Sequence, residues 1–391
     1  MLALLADAYR RNPYPIYAVM RRAAPVVQLG RRPVWALFDY PSVKTALDDH
    51  ARFSSRAAPP GGAPLDWLVF TDPPRHSRLR SLIARTFTPR SVAALEPRIT
   101  ALAQELLDTV AARGHLDLVS DFAERLPVLV IMELLGMPLA DAARVTGWGA
   151  DILQLGDTVI GGERAACAVA AYGRAKGEMR PYLAALLAER RDSPRDDLLS
   201  RLLHAEVDGA RLTEEEIFSF FQLLLLAGTE TTTNLIANAV LCFMEHRDQL
   251  ALVRHDRSLL PAAIEEVVRF RSPAQLVFRS ANEDIELHGR RIGAGALVLA
   301  MIGSANRDAR QFPHADRFDI ARHGAPHVGF GHGIHFCVGA GLARLEARVA
   351  LSVLLDRFAH FERAGRRQWS PRTGLNVHGP RALALLVTAD R

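Results

Sequence analysis

The feature that most limits what this chain can fold into is the run from Thr213 to about Met244. Thr213 with Glu216 three residues on forms a capping box, which fixes a helix start, and the helical pattern then continues unbroken to about Met244. At 1.5 Å per residue such a helix is about 45 Å long, enough to cross a molecule of this size. Its uncharged stretch, Ile217 to Thr229, stops at Glu230 and is too short to span a bilayer, so it reads as a buried spine. A buried spine needs other helices laid on it. Ser91 to Ala112 and Arg174 to Arg191 have the required apolar spacing of three and four with charges between. Strand signals cluster in Pro25–Phe38 and Gln275–Ile302, the second with glycine turns that suggest hairpins. No 20- to 50-residue repeat and no linker divides the 391 residues, so a single domain over 1–391 is expected, mainly α with small β-sheets (α+β). Pro59, Pro60, Gly61 and Gly62, and separately Gly161 and Gly162, mark loops suited to covering a binding site.

The formal charge of +5 is almost wholly guanidinium, since Lys44 and Lys176 are the only lysines. No run of five basic residues occurs, so nucleic acid is not the expected partner. Cys167, Cys242 and Cys337 are odd in number and far apart, which argues against a disulfide framework and for a reducing, cytoplasmic setting. The first twenty residues lack the apolar core of a signal peptide or anchor helix, and no membrane association is expected.

The chemistry concentrates in Phe330–Leu355, "FGHGIHFCVGAGLARLEARVALSVLL", where a glycine-rich loop delivers one cysteine to the start of an amphipathic helix. Gly331, Gly333 and Gly339 let the backbone approach a flat ligand and turn amide hydrogens toward sulfur, and a helix N-terminus favours the thiolate. One cysteine cannot build a closed zinc site, and His335 two residues away is a poor second ligand. A large cofactor that brings its own metal resolves the shortage, and haem held by an axial cysteine is the obvious candidate. Cys167 and Cys242 lack any such setting and read as buried, inert thiols.

"FGHGIHFCVG" followed by "AGLAR" resembles the haem-binding loop of the cytochrome P450 family position for position. The resemblance covers nearly the whole chain, from "NPYPIYAVMRR" through "RFSSR" and "TDPPRH" to the end, and looks like the soluble bacterial branch. It implies the P450 fold, a triangular helical prism holding haem b (iron protoporphyrin IX) between the long central helix and the helix after the cysteine loop. Cys337 is then the iron ligand, and Phe330, Gly331 and Gly339 shape its loop. In "AGTETT", the resemblance lays Ala227 and Gly228 against the haem face. Glu230 and Thr231 match the family's acid and alcohol, which relay protons during oxygen activation. Alone, a threonine-rich turn is an ordinary bend with back-bonded hydroxyls. A kink there, where Gly228 and the threonines weaken helical bonding, would open a small pocket.

Glu266 and Arg269 sit three apart on one helix, and the family buries this pair with a later arginine, matched here by Arg317, as a structural brace under the haem. His76 and Arg80 lie four apart on one helix, and with Arg279 and His335 they match the family's partners for the haem propionates. By the same resemblance, Pro59–Phe70, Ile152–Arg174, Leu223, Leu226, Ala274–Val277 and Val377 line the substrate pocket, whose aliphatic character suits a medium-to-large apolar molecule such as a terpenoid, steroid, fatty acid or polyketide.

The implied activity is monooxygenation, hydroxylation or epoxidation with O2, in a chain expected to be a monomer. No flavin or iron–sulfur segment follows the haem loop, so NAD(P)H electrons are expected through a separate ferredoxin reductase and ferredoxin. Arg75, Arg78, Arg85, Arg344 and Arg348 are candidates for a basic docking face. A peroxide-driven peroxygenase and a non-enzymatic haem-binding or recruitment protein of this fold are the competing readings. Both usually go with loss of the acid–alcohol pair, and Glu230 and Thr231 are present.

Overall fold

The computed structural model describes residues 7–30, 33–56, 65–85, 87–111, 113–155, 163–207, 209–324, 326–365 and 368–389. The two loop signals at Pro59–Gly62 and Gly161–Gly162 lie outside the described residues. The chain divides into two compact units, one of residues 1–55, 96–125 and 231–391, the other of residues 56–95 and 126–230.

In the first unit, both predicted strand regions join one five-stranded sheet. Its order runs Val26–Gln28, Val34–Leu37, Leu297–Ala300, Val277–Ala281, Phe53–Ser54, with Val34–Leu37 and Leu297–Ala300 parallel and the other pairs antiparallel. One face buries Leu37, Val43, Phe53, Ile292, Val298 and Phe312 together. The expected hairpin forms between Ile285–Leu287 and Arg290–Ile292, turning through His288 and Gly289 at φ 50° and 67°. The helix Ala340–Arg357 packs against Glu96–Ala111 and Leu260–Phe270, and then runs into a strand, Phe358–Arg363, that pairs with Ala384–Ala389.

The second unit is helical, built on Leu198–His204, Ala142–Leu153, Glu214–Ala227 and a 30-residue helix, Glu163–Asp192. Arg190, fully buried, ties its end down by donating from Nε to Asp197 at 3.0 Å and from Nη2 to the Gly136 carbonyl.

Two sequence expectations need correction. The stretch Ser91–Ala112 is not one helix but two, Pro89–Ala93 and Glu96–Ala111, with Pro97 in the first turn of the second, where its missing N–H costs no helical hydrogen bond. Nor is the spine continuous to Met244. It forms Glu214–Ala227 and Glu230–Glu245, interrupted at Gly228 and Thr229. The capping box at Thr213 is present as read. The interruption follows from two residues: Gly228 contributes no side-chain packing, and the Thr229 hydroxyl donates to the Leu225 carbonyl at 2.8 Å, an alternative to the backbone ladder. A side chain at Gly228 would also collide, since its Cβ would fall 2.7 Å from Ile131 Cδ1.

Candidate active site

The cysteine loop is held at its entry, its middle and its exit. At the entry, Asn306 Oδ1 accepts from the Val328 N–H at 2.9 Å, and Gly329 packs so closely on Val268 that a Cβ would lie 2.3 Å from Val268 Cγ1. In the middle, Gly331 and Gly333 take φ of 77° and 65°, the left-handed region that side chains resist, and a Cβ on Gly333 would sit 3.0 Å from the Leu47 carbonyl. The loop closes where the Cys337 N–H donates to the Phe330 carbonyl at 2.8 Å. At the exit, Gly339 precedes the helix Ala340–Arg357, with Cys337 exposed two residues earlier. His335 Nε2 lies 2.9 Å from Ser55 Oγ, which orients the ring.

Behind this loop stand two charge networks. The Glu265 carboxylate accepts from Arg344 Nε at 2.6 Å and Nη2 at 2.9 Å and meets His327 Nε2 at 3.1 Å. Burial alone would push the Glu265 carboxyl up, but the hydrogen bonds from Arg344 and His327 outweigh it and bring its pKa down to about 2. The Arg344 guanidinium also lies over the Phe330 ring at 4.3 Å, so this network grips the loop on both sides of the cysteine. Sequence reading missed it. Its members are 62 and 79 residues apart, and no spacing rule links them.

Glu266 and Arg269 form the second network, 4 % and 2 % exposed. Arg269 Nε and Nη2 donate to the two Glu266 oxygens at 2.7 and 2.8 Å, while Nη1 donates to the carbonyls of Asn306 and Ala315 and Nη2 also to that of Arg317. All five guanidinium donors are thus used. The third member is not the one expected: the Arg317 side chain is exposed and only its carbonyl takes part, whereas Arg322 Nε donates to Glu266 Oε1 at 3.3 Å. Arg317 turns outward because its N–H is committed to a tight turn on His314, which leaves its carbonyl facing both guanidiniums.

The remaining candidates are distributed between the units. Arg279, 6 % exposed on strand Val277–Ala281, donates to the Phe278 carbonyl at 2.8 Å. In the other unit His76 is buried and Arg80 half-buried on the helix Arg75–Ala84, one turn apart as the spacing requires. Glu230 and Thr231, both half-buried, open the helix Glu230–Glu245 directly after the break, and Ala227 is exposed although Leu223, Leu224 and Leu225 are buried. Of the pocket candidates, Ala274 and Val377 are brought together by an antiparallel bridge, Val277 is half-buried, Leu223 is buried and Leu226 half-buried.

Two further expectations change. Cys167 is exposed, not buried, because its helix turns that face outward; Cys242 is buried, and burial pushes its pKa up to about 12. The five arginines suggested as a docking face already have partners. Arg75 pairs with Asp66, Arg78 with Glu216, Arg344 with Glu265 and Arg348 with Glu96, while Arg85 donates to the Glu206 carbonyl.

The donor set fits haem. Among the described residues no three His, Cys, Asp or Glu side chains converge as a metal site, so a metal at Cys337 must bring its other ligands, as a porphyrin does. The loop turns closely at Gly331 and Gly333 and leaves Cys337 exposed, where a flat ring can approach it.

An α+β fold with a single cysteine presented on a glycine loop ahead of a helix defines the haem-thiolate class. The family model for cytochrome P450 matches residues 170–380. The chain is 43 % identical over 353 residues to cyclomarin C epoxidase CymV of Salinispora arenicola, covering 88 % of this chain and 89 % of that protein. It is 40 % identical over 363 residues to the vitamin D(3) 25-hydroxylase of Pseudonocardia autotrophica, covering 90 % and 87 %. The solved structure of cytochrome P450 CYP109Q5 from Chondromyces apiculatus superposes with a TM-score of 0.90 at 40 % identity, covering 99 % of this chain and 98 % of that one. The chain belongs to the cytochrome P450 family, has its fold, and is a monooxygenase of the bacterial kind. Family membership implies haem iron as cofactor. No helix among the described residues is long and apolar enough to cross a membrane.

Proposed function

We propose that the chain, working as one catalytic domain over residues 1–391, inserts one oxygen atom from O2 into a medium-to-large apolar molecule by hydroxylation or epoxidation. The observation that carries this reading is the exposed Cys337 on a loop fixed by Asn306, Glu265 and Arg269. Haem, when bound, would be held at its iron by the Cys337 thiolate and would supply the oxygen-activating chemistry. The chain's own residues do the rest. Cys337 provides the sulfur ligand, and the Glu265 and Glu266 networks hold it at one position. Arg279, His335, His76 and Arg80 supply cations for the propionates. Glu230 and Thr231 hold and pass protons, an acid beside an alcohol at the start of the helix that follows the interruption. The interruption at Gly228 and Thr229 falls directly before this pair.

The substrate class rests on the aliphatic candidates Leu223, Leu226, Val277 and Val377, and on relatives named for a cyclomarin and for vitamin D(3), both large and mostly apolar. We assign electron supply to NAD(P)H through a separate ferredoxin reductase and ferredoxin, and place the protein in the cytoplasm as a monomer. The test is the carbon monoxide difference spectrum of the reduced protein with Cys337→Ala as control. A strongly red-shifted Soret band that vanishes in the variant supports the reading. A histidine-type spectrum, or one unchanged by the substitution, overturns it. Product formation with isotopically labelled dioxygen, as against peroxide alone, then separates monooxygenase from peroxygenase.

A further inference from the structure

The first unit contains a cleft of about 610 Å³ that shares no residue with the candidate haem site. It opens between the two N-terminal helices, Asp7–Arg11 and Tyr14–Ala23, the ends of helices Glu230–Glu245 and Leu260–Phe270, and the segment carrying Arg363 and Trp369. Four guanidinium groups line it, from Arg11, Arg271, Arg307 and Arg363, against two carboxylates, Glu245 and Asp316.

Both carboxylates are already engaged. Glu245 is held by Arg271 at 2.9 Å, and Asp316 by Arg307 at 3.0 Å. Arg11 and Arg363 have no carboxylate partner among the described residues; Arg11 donates only to the Trp369 carbonyl, at 3.4 Å. Arg307 is the more telling case. Its side chain is 6 % exposed, sandwiched 3.4 Å from the Phe270 ring centre and 4.2 Å from that of Tyr14, yet its carboxylate partner is 72 % exposed and neutralises it weakly. Burial first, and then repulsion from Arg269 and Arg271, bring the Arg307 pKa down to about 10 against the pull of Tyr14 and Asp316, so it still carries its charge at neutral pH. A concave, half-desolvated wall with surplus positive charge concentrates anions, and guanidinium forks match carboxylate and phosphate oxygens.

We propose that this cleft binds a small multivalent oxyanion, a di- or tricarboxylate or a phosphate ester, on the guanidinium groups of Arg11, Arg271, Arg307 and Arg363. The volume falls within the range of small-molecule sites. The inference is independent of the monooxygenase reading, because no residue of the haem site enters it.

The test is calorimetric titration of the full-length haem-loaded protein at low salt, with pyrophosphate in one arm and citrate in the other. Saturable binding of one anion per chain is expected, weakened about tenfold or more by Arg11→Gln with Arg363→Gln, two charge-assisted contacts fewer. Arg291→Gln, which changes an exposed arginine elsewhere, should leave it unaltered. The tighter arm identifies the phosphate or the carboxylate source. Trp369 gives a second readout: its fluorescence should change on binding, and the change should vanish in Trp369→Phe. The haem spectrum and melting temperature of the double variant, unchanged from wild type, show that it is folded. Absence of saturable binding in both arms, undiminished affinity in the double variant, or an equal loss in Arg291→Gln overturns the proposal.

Discussion

Replacing Arg269 by lysine keeps the buried positive charge and removes only the guanidinium fork, so it isolates the geometry of the brace beneath the cysteine loop. The native side chain satisfies two carboxylate oxygens of Glu266 and three main-chain carbonyls, those of Asn306, Ala315 and Arg317. An ammonium has three donors from a single point and cannot span the same five acceptors. Two acceptors are therefore stranded. A buried unsatisfied acceptor costs about 1–3 kcal/mol, so two of them cost roughly 2–6 kcal/mol. Against a typical total of about 5–15 kcal/mol this leaves a protein that folds marginally. Asn306 transmits the loss, because its carbonyl is one of the freed acceptors while its side chain holds the Val328 N–H at the entry of the cysteine loop. Urea unfolding should show a lower midpoint at unchanged slope. The reduced, carbon monoxide-bound protein should show a smaller thiolate-type band per polypeptide. Stability within about 1 kcal/mol of wild type would refute the reasoning, since it would mean that the five donated bonds are not individually needed. Arg322→Ala should cost less, as Glu266 Oε1 keeps the Arg269 and Asp319 donors and the bonds that Arg322 makes to three carbonyls are exposed to water, whereas Arg317→Ala should cost nearly nothing.

Other outcomes follow from the same geometry. Because the Glu265 pKa is depressed to about 2 in the folded protein, its stabilising charge is fully present above about pH 4.5 and is lost as pH falls toward 2. With its side chain 40 % exposed, screening reduces the effect to roughly 1–2 kcal/mol, and Glu265→Gln should flatten that part of the stability–pH curve; parallel curves for the two proteins would contradict it. A thiol reagent applied to native protein stripped of haem should label Cys167 and Cys337 but not Cys242, and haem should protect Cys337 alone. Thr231→Val and Glu230→Gln should each lower product formed per NAD(P)H consumed and reduce turnover on the order of 10²-fold, with the thiolate haem spectrum intact; unchanged coupling would remove both from proton delivery. Gly228→Val should destabilise the helix end against Ile131, where even a Cβ would sit at 2.7 Å, and a melting temperature equal to wild type would exclude that contact.

Local chemistry was legible in the chain itself. The capping box at Thr213 needs only residues three apart, the glycines of the cysteine loop announce left-handed backbone, and Glu266 with Arg269 lie within one helical turn. Each rests on a spacing that the backbone geometry enforces without help from distant residues. The same local rules overran at the spine. Apolar periodicity passes straight through Gly228 and Thr229, but the periodicity does not tell whether the Thr229 hydroxyl bonds the Leu225 carbonyl or how closely Ile131 approaches Gly228. Tertiary structure alone decided which arginine completes the Glu266 network, because Arg317 and Arg322 sit in one irregular segment and the turn at His314 points one outward and the other in. It alone joined Glu265 to His327 and Arg344, and it alone gathered the arginines of the N-terminal cleft from four distant segments. Charge pairing over such separations follows from how helices and loops are stacked, and sequence order does not encode which opposite charge lies nearest once the chain has closed on itself.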